Sequence, residues 1–172
     1  QDFPSILKAA KILRNEKIDW IIIGNGRKKP WVKRKIIEWG LENCVHLLGA
    51  HPIEKMPKFF SASDCLLFSL KKEDIFSITI PGKVQAYLAS GKPILAMIDG
   101  EAAKVIKDSK AGFSCPSGNP EKLVENIKKL QSASKHEIIQ LSQNGIDYYN
   151  EQFERNMLIN KLERILKQLS NK

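Results

Sequence analysis

The sequence predicts an α/β domain built on a Rossmann-like, doubly wound parallel sheet with a helical C-terminal tail. Short β-branched runs alternate with amphipathic stretches along most of the chain. The runs are apolar without a polar alternation, which is the pattern of strands covered on both faces. After Leu130 two amphipathic stretches follow each other with no strand between them.

Taken in order, Ile6, Leu7, Ala10 and Leu13 mark the stripe of a first helix, with Asp2 and Pro4 as start signals. Ile18 to Ile23 is the first strand. Trp31 to Trp39 forms a second helix with Val32, Ile36 and Trp39 inward, and Val45 to Leu48 a second strand. Glu54 to Ser61 carries Met56, Phe59 and Phe60 on a short helix, and Cys65 to Ser69 is the third strand. A long loop then enters a helix at Pro81, a residue suited to a first helical turn. Val84, Tyr87 and Leu88 hold that helix to the sheet and Gly91 ends it. Pro93 to Met97 and Gly112 to Cys115 are the remaining strands, with helices around Lys104 to Lys107 and from Glu121 to Leu130. The tail helices are Lys135 to Asn150 and Phe153 to Leu169. In the second, Leu158, Leu162, Ile165 and Leu169 form a stripe that must lie on an apolar surface of this domain or of a neighbour. One domain is expected over residues 1–172, with its tail helices at about 134–170.

Composition narrows the function classes. Hydrophobic residues make up 42% of 172, enough for a real core and unlike a disordered segment. No apolar run approaches the ~20 residues of a membrane-spanning helix. Cys44, Cys65 and Cys115 are too scattered for a disulfide framework or a zinc site. With no Asn-x-Ser/Thr acceptor and no secretory signal, a reducing, cytoplasmic compartment is expected. No histidine or carboxylate cluster shows ligand spacing, so neither a metal nor another cofactor is expected. The chain opens with Gln1 rather than Met and enters a helix almost at once, so it reads as a piece of something longer.

There are 28 Lys and Arg against 19 Asp and Glu, a net charge of +9. Arg27-Lys28-Lys29 and Lys33-Arg34-Lys35 concentrate that charge on either side of Trp31. Such a face is solvated, or meets anionic lipid heads at the inner side of the plasma membrane, or meets phosphates. No motif supports nucleic acid. His46 is expected in the core, and His136 solvated at a helix start. His51 lies in a loop where a ligand can sit.

A doubly wound sheet binds ligands beyond the carboxyl ends of its strands. The loops there are Gly24 to Pro30, Gly49 to Glu54, Leu70 to Gly82 and Ile98 to Glu101. Gly24-Asn25-Gly26 opens like a dinucleotide fingerprint, but Lys29 stands at the third glycine position. The next strand runs into Gly49-Ala50 with no acid for a ribose. The turn is therefore a tight glycine turn or a ligand-facing loop, and NAD is not expected. The most informative stretch runs from Leu70 to Pro93. Its helix exposes free N–H groups near Gly82 and Lys83, and the Lys83 ammonium adds a full charge, a sound site for a diphosphate. Gln85, one turn in, suits a pair of ribose hydroxyls. The plainer alternative is a helix start with Lys83 and Gln85 in solvent.

The run Pro81-Gly82-Lys83-Val84-Gln85-Ala86-Tyr87-Leu88-Ala89-Ser90-Gly91-Lys92-Pro93-Ile94-Leu95 resembles the donor-site helix of retaining GT-B glycosyltransferases of the family 4 type. It is most similar to the bacterial branch that builds lipopolysaccharide O-antigen and capsule, including N-acetyl-L-fucosamine transferases. Ile21 to Gly26, Leu48-Gly49, Met56 to Asp64, Ala111-Gly112-Phe113 and the Tyr148 to Leu169 tail match as well, so the likeness spans nearly the whole chain.

The resemblance implies the C-terminal half of a GT-B enzyme, which holds a nucleotide-sugar donor, here a UDP-sugar, and faces an N-terminal acceptor domain not contained in the chain. By position, His51 and its loop border the base, and Gln85 stands where the family has a glutamate for the ribose. Ile80, Pro81, Gly82 and Lys83 face the diphosphate or sugar, with Lys83 as the group that stabilises the leaving diphosphate. Gly24, Asn25 and Gly26 lie along the cleft. The family's paired glutamates, eight positions apart, fall on Ser77 and Gln85, neither of them acidic, while Glu73 and Asp74 lie just upstream. The family's first strand, central in the sheet, is expected to be absent, leaving an edge that rearranges or pairs with another copy. Two rival readings are a non-catalytic module binding an anionic partner through the basic helix and a sugar-nucleotide epimerase of the same architecture.

Overall fold

The computed structural model describes residues 1–170; the last two residues of the expected 1–172 domain lie outside the described residues. The chain runs α1 (Phe3–Ile12), β1 (Trp20–Ile23), α2 (Lys29–Glu38) and β2 (Val45–Gly49). A single 3-10 turn (Ile53–Lys55), α3 (Met56–Ala62), β3 (Leu66–Ser69), α4 (Asp74–Ser77) and α5 (Gly82–Ala89) come next. The rest is β4 (Ile94–Met97), α6 (Gly100–Ser109), β5 (Gly112–Cys115), α7 (Pro120–Gln131), α8 (Lys135–Gln152) and α9 (Arg155–Ser170). Every pairing between strands is parallel. The strands form two ladders, β1-β2 and β3-β4-β5, instead of one continuous sheet. Among the described residues no strand bridges β1 and β3. The chain does not rearrange to close the break, because the helices beneath hold both ladders.

Those helices make two layers. On one side Leu7, Ala10 and Leu13 of the α1 segment meet Val32 and Ile36 of α2, and Leu123 and Ile127 of α7. Trp20 and Val45 from one ladder and Leu95 and Met97 from the other join the same core. On the other side Val84 and Leu88 of α5 and Ala102 and Ile106 of α6 cover Phe68, Ile94 and Ala96. Strand β4 thus sends alternate residues into two cores, which is why its sequence shows no polar alternation. The β1-β2 ladder is covered on one face only. Ile21 and Leu48 point away from the core and are 49% and 44% exposed.

The differences in detail have local causes. The 70–80 loop contains a turn of helix, α4, that no apolar periodicity announces, since none of its residues is buried. Pro81 precedes α5 as its cap residue and is not its first helical residue. Helix α6 is ten residues, not four, because Ala102, Val105, Ile106 and Ser109 bury a full stripe. His46, expected in the core, is half-exposed and bonds Asp19 Oδ1 through Nε2 at 2.8 Å. The tail divides at Phe153-Glu154, where the Glu154 carboxylate accepts from the N–H groups of Asn156 (2.9 Å) and Met157 (2.6 Å). Those bonds hold the Glu154 carboxyl below the ordinary carboxylate range. Helix α8 seats on α5, with Gly145 against the Leu88 backbone. The α9 stripe finds no cover among the described residues: Leu158, Leu162, Ile165 and Leu169 are all exposed.

Candidate functional site

The carboxyl ends of the strands gather the expected residues in three places. At the end of the β1-β2 ladder, the Gly24 N–H donates to the Gly49 carbonyl at 2.7 Å, so the glycine turn and the His51 loop stand side by side. Gly24 takes a φ of 139°, a conformation only glycine adopts easily, which gives the turn a conformational reason for its glycine. Asn25 and Gly26 continue the turn in solvent. His51 is half-buried and packs its ring on Phe59, 4.8 Å between centroids.

The second place is the mouth of α5. Gly82 and Lys83 begin the helix with no side-chain cap, and the Val84 N–H turns back to the Pro81 carbonyl at 2.9 Å. The amides of Gly82 and Lys83 have no partner among the described residues. A side chain built on Gly82 would meet nothing within 4 Å, so the approach to these amides is open. Lys83 is exposed and leans toward the start of the chain. With the Gln1 amide oriented to satisfy both its ends, its oxygen accepts from Lys83 Nζ at 3.1 Å and its nitrogen donates to the Ser69 carbonyl at 2.9 Å. The Asp2 N–H reaches Ser69 Oγ at 3.3 Å. Lys83 therefore stands at the end of β3. Ile80 is exposed, and Pro81 and Gln85 are half-buried beside it.

The third place is a cleft of about 170 Å³ between the loop after β3 and the ends of β4 and β5. Glu73, Asp74 and Ser77 line it from the loop side, with Lys71 and Lys72. Asp99 and Ser117 close it from the sheet side, the Ser117 N–H donating to Asp99 Oδ1 at 3.3 Å. Ser77 Oγ donates to the Asp74 carbonyl at 2.6 Å, tying α4 to itself. Of the residues expected at the donor, the cleft unites Glu73, Asp74 and Ser77. Gly24 to Gly26, His51, and Ile80 to Gln85 lie outside its wall.

Asp99 and Ser117 were not singled out from the sequence. The signal was present, since both lie just beyond the carboxyl ends of strands, where such folds bind ligands. Behind the cleft, burial first and then the Asp99 charge push the Cys115 thiol up to about 11, so it is no nucleophile near neutral pH. Among the described residues no group of three or more His, Cys, Asp or Glu side chains is gathered as a metal ion would require. None of their helices is long and apolar enough to cross a membrane.

Residues 2–133 match the family described as glycosyl transferases group 1. The chain belongs to that family. It is 29% identical over 141 residues to the Probable glycosyltransferase WbjE of Pseudomonas aeruginosa, covering 78% of this chain and 34% of that protein. It is 23% identical over 167 residues to the Amylovoran biosynthesis glycosyltransferase AmsK of Erwinia amylovora, covering 95% of this chain and 41% of that one. The chain thus spans well under half the length of the curated relatives it matches. Its fold is that of Anabaena Alr3699/HepE, solved in complex with UDP and glucose. The TM-score is 0.78 at 17% identity, over 98% of this chain and 44% of that chain. The fold class and family resemblance expected from the sequence are both borne out.

Proposed function

We propose that this family member is the donor-binding half of a retaining glycosyltransferase that moves a sugar from a UDP-sugar to a lipid-linked or saccharide acceptor in cell-surface polysaccharide synthesis. The observation that carries the reading is the open mouth of α5. Two unpartnered amides and the Lys83 ammonium stand together at the end of β3. Such a place favours negative charge, and charge develops on a nucleotide diphosphate as it leaves. Lys83 and the amides of Gly82 and Lys83 stabilise that leaving group. Gln85, a turn further in, takes the ribose, and its neutral amide makes a weaker bond there than a carboxylate would. His51 on Phe59 borders the base, and the Gly24-Asn25-Gly26 turn lies along the donor. The UDP complex of HepE and the amylovoran role in the name of AmsK support the choice of donor and pathway class.

In this reading the acceptor and any general base belong to a second domain across the cleft, and the 172-residue piece alone does not turn over. Titration of UDP by calorimetry tests it. Binding heat in the full-length protein that is lost in Lys83→Ala supports the assignment, and a full-length protein that takes up no UDP refutes it.

The basic helix supports a surface role for the same enzyme, contact with the anionic inner face of the plasma membrane. Lys33 and Arg34 are exposed on α2. Lys35 is already engaged by Glu38 at 2.8 Å and lies over the Trp39 ring. Neutralising Lys33 and Arg34 together is expected to weaken sedimentation with phosphatidylglycerol vesicles and leave UDP binding unchanged. Unchanged sedimentation excludes this contact.

A further inference from the structure

We infer that Gly100 is a positioning residue for the acidic loop of the cleft, the glycine whose missing side chain lets α4 sit on the first turn of α6. A Cβ built on Gly100 would fall 1.9 Å from the Ser77 carbonyl oxygen, 2.4 Å from its Cα and 2.5 Å from its carbonyl carbon. All three are backbone atoms, so no rotamer change relieves the collision. Gly100 also takes a φ of +72°, unfavourable for any other residue. The contact is close because the two segments share one wall. Asp99 precedes Gly100 and lines the cleft from the sheet side, and Ser77 lines it from the loop side.

Burial decides which segment moves when the contact is crowded. Helix α6 is anchored by Ala102 and Ile106, both 0% exposed, and by Val105 at 6%. Helix α4 is four residues long and buries none of them. The loop from Glu73 to Ile80 therefore gives way and the sheet does not. Gly100 holds Glu73, Asp74 and Ser77 in the cleft without itself lining it. The consequence for donor affinity rests on the donor-binding reading above; the positioning itself does not.

Gly118 supplies the control. It lies next to Ser117 on the same rim, takes a φ of +75°, and a Cβ there would meet nothing within 4 Å. Gly118→Ala carries a similar backbone strain without the collision. The test is hydrogen exchange on the full-length protein and its Gly100→Ala and Gly118→Ala variants, with UDP titrated into each. Amides of 73–80 are expected to exchange at least about tenfold faster in Gly100→Ala, while those of Val105, Ile106 and β4 keep wild-type rates. Gly118→Ala is expected to leave 73–80 as in the wild type.

Wild-type exchange of 73–80 in Gly100→Ala overturns the inference, and so does equal acceleration in Gly118→Ala. Loss of protection throughout β4 in Gly100→Ala overturns it too, since the loop then does not yield separately from the core. UDP affinity lowered in Gly100→Ala and kept in Gly118→Ala extends the role to the donor. A wild-type protein that binds no UDP refutes the donor reading and leaves the exchange result to decide the positioning.

Discussion

Strands β4 and β1 are written in nearly the same alphabet, Ile-Leu-Ala-Met against Trp-Ile-Ile-Ile, and end in different environments. In β4 every residue is 3% exposed or less. In β1 only Trp20 is buried, and Ile21 is half in solvent. The difference is cover. Helices α5 and α6 close the second face of the β3-β4-β5 ladder, while nothing among the described residues does so for β1-β2. An apolar run announces a strand, but its neighbours decide how many of its faces are stabilised. On the covered face the indole N–H of Trp20 is buried without a hydrogen-bond partner among the described residues.

Matched truncations test that contrast most sharply. Ile94→Ala removes side-chain volume at a site 1% exposed and is expected to cost about 2–5 kcal/mol. Ile21→Ala, at a site 49% exposed, is expected to cost under about 1 kcal/mol. Urea unfolding of both variants checks the pair, and equal losses would mean that the β1-β2 ladder is covered after all.

The thiols give a smaller effect along the same division. Burial, with Asp64 adding to it, pushes Cys65 of the covered half up to about 11, and Cys115 stands at about 11 as well. Cys44, in the half around β1 and β2, is raised by burial and by Asp19, but less far. Cys44 is buried and its thiol donates to the Leu41 carbonyl at 3.5 Å. Alkylation at pH 9 is therefore expected to be slow at all three thiols in the folded protein, and fast modification of any one of them would break this account. A thiol raised on folding contributes stability that is complete below its unfolded value near 9 and disappears as pH climbs through about 11. Unfolding free energy is therefore expected to be flat from neutral pH to about 9 with respect to these groups and to decline from there to about 11.

Much of the candidate site was legible because the features that nominate it are local. Gly24 needs its backbone freedom whatever surrounds it, and Pro81-Gly82-Lys83 begins a helix with open amides by its own residue types. Glu73, Asp74 and Ser77 were legible as candidates but not as one wall, since no spacing between them announces α4. Asp99 and Ser117 lie 18 residues apart, and only the adjacency of β4 and β5 brings them to one bond.

By itself the sequence determined the order and type of nearly every element, the net charge of +9 and the family, because periodicity, turn residues and charge are properties of short stretches. The tertiary structure alone decided that the sheet, expected from the sequence to lack its central strand, stays split into two ladders instead of rearranging, and that α9 leaves its apolar stripe uncovered among the described residues. It alone showed that Gly100 must have no side chain. Each of these depends on which surfaces meet across long separations in the chain, and a residue's identity does not encode its distant neighbour.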